Sequence, residues 1–376
     1  MTHTKTVQSK LGGALGAATR AIGRPIAIFP IFLVIALVMP SIASPSALYV
    51  WSAAVIWVLF ALGTNVLFGW SGMMSFGQAA FFGLGAYTVA LLSRDEREIS
   101  PLLLLVAAAA TAGLAGAAFA CIALRTNGIE FAVLTLVFAQ VLWLLTYTVA
   151  DLRGDDGFTG LAGGDIFGID LLPDINFWYY VMAVVAFCAF GLRRIELSSF
   201  GAVLRAVRDD DLRAASLGLS VRRLRIIAYA LSSAVCGIAG ALIAQLHGVT
   251  TPQTLVFTVS GQALVACLIG GAAFWGPAAG AIVLIAAENF LFGGSDAPAL
   301  MTGILLLVIV LVVPGGLTSV PTLVSDLRRK WGDRSPRTDP PSPPSASEDA
   351  MLEVGEPDHG GDGVGVGGPR VGGEVR

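Results

Sequence analysis

Charged side chains are scarce in this chain: Asp, Glu, Lys and Arg make up 13% of its 376 residues, whereas hydrophobic residues make up 55%. Lysine is the rarest of the four and occurs only at Lys5, Lys10 and Lys330. None of these lysines follows a glycine, so no Gly-x-x-x-x-Gly-Lys-Ser/Thr phosphate loop exists and ATP hydrolysis by that route is excluded. The net charge of −3 is too small to indicate a nucleic-acid partner.

Groups that could carry catalysis or hold a metal are also few. The three histidines and four cysteines lie far apart, without the spacing of a zinc site or of a small disulfide framework. The sequence contains no HExxH, no GxSxG and no clustered Ser/His/Asp set. We therefore predict no enzyme activity, no metal and no cofactor, which leaves transport, conduction or a structural role. The cysteines are predicted to be small buried residues: Cys121, Cys188, Cys236 and Cys267.

Long apolar runs dominate the chain instead. Stretches close to the roughly 20 residues that cross a bilayer occur at 26–44, 48–68, 74–93, 100–122, 129–150, 177–194, 225–247, 258–272, 277–293 and 298–318. The turn at 44–48 and the glycine-rich break at 272–277 leave the number of spans between eight and ten. The predicted fold class is an all-α polytopic integral membrane protein with about 8–10 transmembrane helices.

The first apolar stretch has two interpretations. Residues 26–39 follow a basic arm and precede SIASPSA, which also fits a secretory signal with a small-residue cleavage site. We predict an uncleaved helix, because removing it would leave nine spans and spoil the charge pattern described next.

Basic residues near the ends of spans predict the orientation in the membrane. The arm 1–25 is basic, the loop 193–225 carries eight arginines, and the loop 151–176 carries six aspartates and one arginine. Both termini and the arginine-rich loop are thus predicted to be cytoplasmic, and the aspartate-rich loop external. The predicted domains are the arm 1–25, a transmembrane domain at 26–320 and a disordered cytoplasmic tail at 331–376, which is rich in Pro, Ser, Gly and acids.

Residues 69–87, GWSGMMSFGQAAFFGLGAY, are unusually rich in glycine for a membrane segment. Ser75, Ala79 and Gly83 recur every four residues, which favours close approach of another helix. The run 69–72 is poor helix, and irregular backbone is tolerated in a membrane only when it is buried in protein or lines a watery cavity. We predict a broken helix beside a pathway, with Gln78 supporting either a pathway or a bond between helices.

The cytoplasmic loop at about 195–224 has the pattern of a short amphipathic helix. Ser199 could cap it, Arg205, Arg208 and Asp211 would lie on its exposed face, and Gly218 is placed to end it. A solvated loop that merely obeys the positive-inside rule is the alternative.

Residues 211–218, DLRAASLG, resemble the coupling loop of permease subunits in ATP-binding-cassette importers, in the form found in branched-chain amino acid permeases. Four further blocks resemble the same family in the right order: GWSGMMSFGQAAFFGLGAY at 69–87, LRTNGIEFAVLTLVFAQ at 124–140, GDDGFTGL at 154–161 and LIGGAAFWGPAAGA at 268–281. The outer-loop block and the added first span favour the larger of the two permease subunits.

The resemblance implies an importer permease fold with a cytoplasmic coupling helix, in a bacterial cytoplasmic (inner) membrane. Its implied partners are membrane lipid, a second permease subunit that is a copy or a paralogue, two ATP-binding-cassette ATPases and an extracytoplasmic solute-binding protein. The implied substrates are leucine, isoleucine and valine. The residues implied to couple to the ATPase are Arg205, Arg208, Asp211, Arg213, Ala214, Ala215 and Gly218.

Two further groups of residues are candidates for transport. The translocation pathway is predicted to involve Gly69, Ser71, Gly72, Ser75, Gln78, Gly83, Glu288 and Asn289, because the first six surround the break and an intramembrane carboxylate is functional by default. The outer loop is predicted to meet the binding protein through Asp155, Asp156 and Thr159, with plain solvated charge as the alternative.

Three other functions remain open on the sequence alone. A permease of the same architecture could import urea or short-chain amides, because the binding protein selects most of the substrate. A self-gated channel or facilitator, or an assembly protein, needs no coupling helix, so the helix predicted at 199–218 favours an importer permease over both.

Overall fold

A computed structural model describes residues 36–42, 44–94, 99–126, 128–161, 164–166, 169–171, 174–288 and 303. The arm 1–25, the last predicted span apart from Gly303, the tail and Asn289 lie outside these described residues. The chain divides into two units, Met1–Asp326 and Leu327–Arg376, and all described residues belong to the first.

The described part is built almost entirely of helices. After a helical piece at 36–42, the helices are α1 Pro45–Asn65, α2 Gln78–Leu92, α3 Pro101–Ala123, α4 Gly128–Thr148, α5 Asp174–Leu197, α6 Ser199–Asp209, α7 Asp211–Ser216, α8 Val221–His247, α9 Phe257–Gly270 and α10 Gly276–Ala286. Short 3-10 turns occupy Ala150–Leu152, Gly154–Asp156 and Pro252–Leu255. Two antiparallel pairs of two-residue strands complete it: β1 Phe158–Thr159 with β4 Val249–Thr250, and β2 Asp165–Ile166 with β3 Ile169–Asp170.

Eight of these helices coincide with eight of the predicted apolar stretches, which confirms an all-α polytopic membrane protein. Within the described ranges, five helices are long and apolar enough to cross a membrane: Pro45–Trp70, Pro101–Ala123, Gly128–Thr148, Asp174–Leu197 and Val221–His247. Helices α2, α9 and α10 are apolar but shorter. The apolar stretch at 74–93 is helical only from Gln78 onward, because its first residues belong to an irregular segment.

Helix α8 lies at the centre of the core and packs against α1, α2 and α3. Small residues in the stretch CGIAGALIA of α8 allow this packing. A Cβ on Gly240 would overlap the carbonyl oxygen of Phe82 in α2, and a Cβ on Gly85 would overlap that of Gly237. The backbones of these helices are thus in direct contact. In lipid this contact contributes dispersion energy, whereas the hydrophobic effect does not drive helices together there.

The two charged loops lie at opposite ends of α3. Gly164, in the aspartate-rich loop, lies against Pro101 at the start of this helix. Arg222, in the arginine-rich loop, donates a 2.7 Å hydrogen bond to the carbonyl of Cys121 at the end of α3. Twenty helical residues separate these contacts by about 30 Å, the thickness of a bilayer core. We call the two ends of the bundle the aspartate end and the arginine end.

Candidate functional site

The glycine-rich stretch forms a break in the bundle, as predicted. Helix α1 widens into a π turn at Val66–Trp70 and Ser71 is still helical, whereas residues 72–77 are not. Gly72 adopts φ +70°, a left-handed conformation that glycine tolerates without strain. The break therefore begins later than the predicted run at 69–72. Ser75 lies inside it, so the helical face predicted for Ser75, Ala79 and Gly83 is shared only by the last two.

The backbone at the break is hydrogen-bonded by side chains of distant helices. The amide of Phe76 donates to Thr135 Oγ1 on α4 at 3.0 Å, and the amide of Ala79 donates to Ser260 Oγ on α9 at 2.7 Å. Irregular backbone at membrane depth requires such partners, because lipid offers none.

Gln78, the first residue of α2, is completely buried and anchors the break to α8. Its Oε1 accepts hydrogen bonds from Ser232 Oγ and Cys236 Sγ, both at 3.3 Å. Ser75 Oγ lies 3.3 Å from the hydroxyl of Tyr229 on the same helix. Because these partners occupy the middle of the 27-residue α8, α2 begins near mid-height in the bundle. Here the amide bonds across helices, the plainer of the two predicted roles.

Two short helices meet at this height through their N-terminal ends. Ser260 lies in the first turn of α9, and its hydroxyl accepts the amide hydrogen of the second residue of α2. The N-terminal end of a helix carries a partial positive charge. The fold thus brings two such ends together in the apolar core, an arrangement that suits a carboxylate.

Arg208 on α6 connects the arginine end directly to the break. Its guanidinium donates a hydrogen bond to the carbonyl oxygen of Gly69 in the π turn. Its side-chain stem lies on Gly72, where an added Cβ would come within 2.9 Å of Arg208 Cγ. A π turn shifts the internal hydrogen-bond pattern, and here a side chain of α6 donates to one of its carbonyls. Arg205, one turn earlier, bonds instead to the carbonyl of Glu196 at 3.1 Å.

The loop predicted to form one helix contains two, so that prediction is wrong in detail. Asp210 is extended, with φ −160° and ψ 104°, and its Oδ1 accepts the amide of Arg213 at 2.9 Å. Aspartate favours such capping bonds over continued helix, and here it starts α7. The residue before α6 is Ser198, so Ser199 is its first residue and not its cap. Gly218, with φ +82°, follows α7 as predicted.

An ion pair that the sequence did not reveal ties α7 to α8. Arg225 Nη2 lies 2.6 and 2.8 Å from the two carboxylate oxygens of Asp211. No local pattern distinguishes Arg225 from its arginine neighbours. Among the other residues predicted to couple to an ATPase, Arg213, Ala215 and Gly218 are exposed, whereas Ala214 is buried.

The outer-loop candidates lie on the surface of the aspartate end. Asp155 and Asp156 are exposed on a 3-10 turn, and Thr159 is exposed on β1, where it pairs with Val249. The strand pair holds this loop against the end of α8. The three side chains are therefore accessible, and their contact with a binding protein stays a prediction.

Glu288, the carboxylate predicted to lie on the pathway, follows the end of α10. Glu288 is half-buried, and its Oε1 accepts a 3.3 Å hydrogen bond from Gln262 Nε2 on α9. Asn289 is outside the described residues. In the described part of the chain no group of His, Cys, Asp and Glu could hold a metal.

The four cysteines behave only partly as predicted. Cys236 and Cys267 are buried, Cys188 is half-buried and Cys121 is exposed. Cys121 faces outward because α3 lies at the edge of the described helices. In a bilayer that surface can meet lipid, so hydropathy alone does not report burial in protein.

Comparison with known proteins gives a consistent result. A family model described as "Branched-chain amino acid transport system / permease component" matches residues 46–314. Three similar proteins are high-affinity branched-chain amino acid transport system permease proteins. LivM of Escherichia coli strain K12 is 27% identical over 314 residues, 76% of this chain and 73% of that protein. LivM of Salmonella typhimurium strain LT2 is 26% identical, covering 80% and 76%. BraD of Pseudomonas aeruginosa PAO1 is 25% identical, covering 70% and 92%.

Proposed function

The chain belongs to the family of permease components of branched-chain amino acid transport systems, and from that premise we propose that it forms part of the membrane path for leucine, isoleucine and valine in an ATP-binding-cassette importer. The observation that carries the proposal is the family match, which covers α2 to α10 and all of α1 except its first residue. The chain is a multi-pass membrane protein and a transport subunit, and the names of its relatives favour branched-chain amino acids over urea or amides.

Energy for transport would come from separate subunits. The lysines of this sequence form no phosphate loop, so two ATPase subunits are proposed at the arginine end, which would face the cytoplasm. A second permease subunit would complete the path, and a solute-binding protein would dock at the opposite end over Asp155, Asp156 and Thr159. Exposure of these three residues supports that docking surface.

Helices α6 and α7 would serve as the element on which the ATPases act. The exposed Arg205, Arg213, Ala215 and Gly218 would meet the ATPase. Arg208 would pass the movement inward, because its guanidinium holds the Gly69 carbonyl next to the break. A displacement of α6 would then pull on the π turn and on residues 72–77 directly, so this segment is proposed as the element that changes between two arrangements during transport.

The substrate would pass beside the break at mid-height. The positive N-terminal ends of α2 and α9 suit the carboxylate of an amino acid, and the apolar helices suit its aliphatic side chain. Gly69, Ser71, Gly72, Ser75, Gln78, Gly83, Glu288 and Asn289 are proposed to line or control this route. Because Gln78 and Ser75 bond to α8 here, the route would open when these bonds break.

Uptake of labelled leucine by cells with and without the chain tests the proposal, with excess valine or urea as competitor and with ATP depleted in parallel. We expect deletion to abolish an uptake that valine suppresses and that requires ATP. Unchanged leucine uptake with reduced urea uptake would show that the substrate class is wrong. Uptake that needs the chain but survives ATP depletion would show a facilitator instead.

A further inference from the structure

A cavity of about 530 Å³ lies at the arginine end, beside the break and the start of α4. Its volume is in the range of about 300–1,000 Å³ that is typical of small-molecule sites. Most of its wall is apolar and includes Met73, Phe131 and Leu136. Asp211 and Arg225, the ion pair between α7 and α8, also line it.

The charges in this cavity restrict what can bind there. One carboxylate and one guanidinium give a net charge of zero, and they lie together in an otherwise apolar wall. An anion would be attracted by Arg225 but repelled by Asp211, and a cation the reverse, whereas a purely apolar occupant would gain nothing from either charge. A zwitterion with an aliphatic side chain matches all three features, because its two charges can each meet an opposite charge.

We propose that this cavity binds a free branched-chain amino acid from the arginine end, so that accumulated product inhibits import. The amino acid carboxylate would meet the Arg225 guanidinium, and its ammonium group would meet the Asp211 carboxylate, whose side chain is 44% exposed and can accept a further hydrogen bond. The aliphatic side chain would lie among Met73, Phe131 and Leu136. This inference rests on the proposed function and adds a site on the arginine-end side of the break, lined in part by residues of the break itself.

Inhibition is expected because the bound amino acid would contact several structural elements at once. The cavity is shared by the break, α4, α7 and α8, so a bound amino acid contacts elements that must move relative to one another when α6 and α7 are displaced. A ligand that binds one arrangement more tightly shifts the population toward it. Product at the arginine end would therefore hold the importer in the arrangement seen here.

The test uses the complete importer in proteoliposomes that contain ATP, with the binding protein and labelled valine outside. The initial rate of valine uptake is measured with leucine, glycine or 4-methylpentanoate trapped inside. We expect internal leucine at about ten times its dissociation constant to leave about a tenth of the rate, because occupancy follows mass action. Glycine lacks the aliphatic side chain and 4-methylpentanoate lacks the ammonium group, so neither should inhibit.

Variants locate the site. Ala132→Trp and the smaller change Leu136→Phe fill the cavity. In these variants internal leucine should no longer inhibit valine uptake. Leu144→Trp lies on the exposed surface of the same helix, farther toward the aspartate end, and should leave inhibition intact. Uptake without internal leucine reports whether each variant is assembled.

Other results would overturn the inference. Inhibition that persists in both filled variants places the site elsewhere, and equal inhibition by 4-methylpentanoate shows an apolar or lipid-like occupant. Absence of inhibition by leucine in an active importer removes the site and leaves the proposed function standing. If the wild type imports no valine at all, the proposed function fails, and equilibrium binding of labelled leucine to the purified complex without binding protein decides the cavity separately. Binding that Ala132→Trp abolishes supports the site, and no binding refutes it.

Discussion

Arg208 is the residue whose replacement best separates coupling from docking. We consider Arg208→Met, which keeps an apolar stem over Gly72 and removes the donor to the Gly69 carbonyl. A hydrogen bond from a charged group contributes about 1.5–3 kcal/mol. Since every 1.4 kcal/mol is about tenfold in an equilibrium, the link between α6 and the break should weaken by about tenfold or more, with the low end favoured because Arg208 is largely exposed.

The assay measures ATP hydrolysis and leucine uptake in the same proteoliposomes that contain the complete importer. We expect uptake to fall by about tenfold while hydrolysis continues, because the ATPase still meets the outer face of α6 and α7. Arg222→Met is the matched control, since this guanidinium also bonds to a backbone carbonyl, that of Cys121, and does not reach the break. A similar ratio of uptake to hydrolysis in wild type and Arg208→Met would refute the reasoning. If the ratio stays the same because uptake and hydrolysis both fall, the loss indicates failed docking.

Three further changes test other parts of the structure. Gly240→Ala should lower the free energy of unfolding by about 1–3 kcal/mol, because its Cβ would overlap the backbone of α2. Gly191→Ala is the control and should not lower this free energy, because a Cβ there would have nothing within 4 Å. Thermal unfolding of both variants in detergent checks this. Replacing Asp155 and Asp156 together by asparagine should raise the KM for the loaded binding protein with little change in kcat, and an unchanged KM would favour plain solvated charge. Glu288→Ala should reduce uptake without loss of assembled complex, and normal uptake would remove this carboxylate from the proposed pathway.

The position of the break illustrates how far local sequence reasoning reaches. Glycine in the run 69–72 predicts poor helix because it has no Cβ and high backbone entropy. The structure delays the break to residues 72–77 because the π turn keeps Gly69 and Trp70 helical. Hydrogen bonds from distant side chains then select which residues stay irregular, and this selection is not a local property.

The loop between α5 and α8 shows the opposite limit. Its amphipathic pattern correctly predicts helix that ends at Gly218, because capping and left-handed glycine are local effects. The amphipathic pattern does not predict the split at Asp210, whereas the three consecutive aspartates are a local signal for a new cap. The ion pair between Asp211 and Arg225 has no such signal, because α8 must pack beside α7 before the two charges meet.

By itself, the sequence determined the membrane class, the sites of the eight apolar helices, the broken segment and the separation of the charged loops. These properties depend on transfer into lipid and on local backbone preferences, which each segment carries alone. Only the tertiary structure decided that α2 and α9 meet at their N-terminal ends, that Gln78 bonds to α8 and that Arg208 reaches Gly69, 139 residues away along the chain. Lateral packing between helices makes these contacts. Hydropathy does not predict them, because it has the same value whichever equally apolar helices lie side by side.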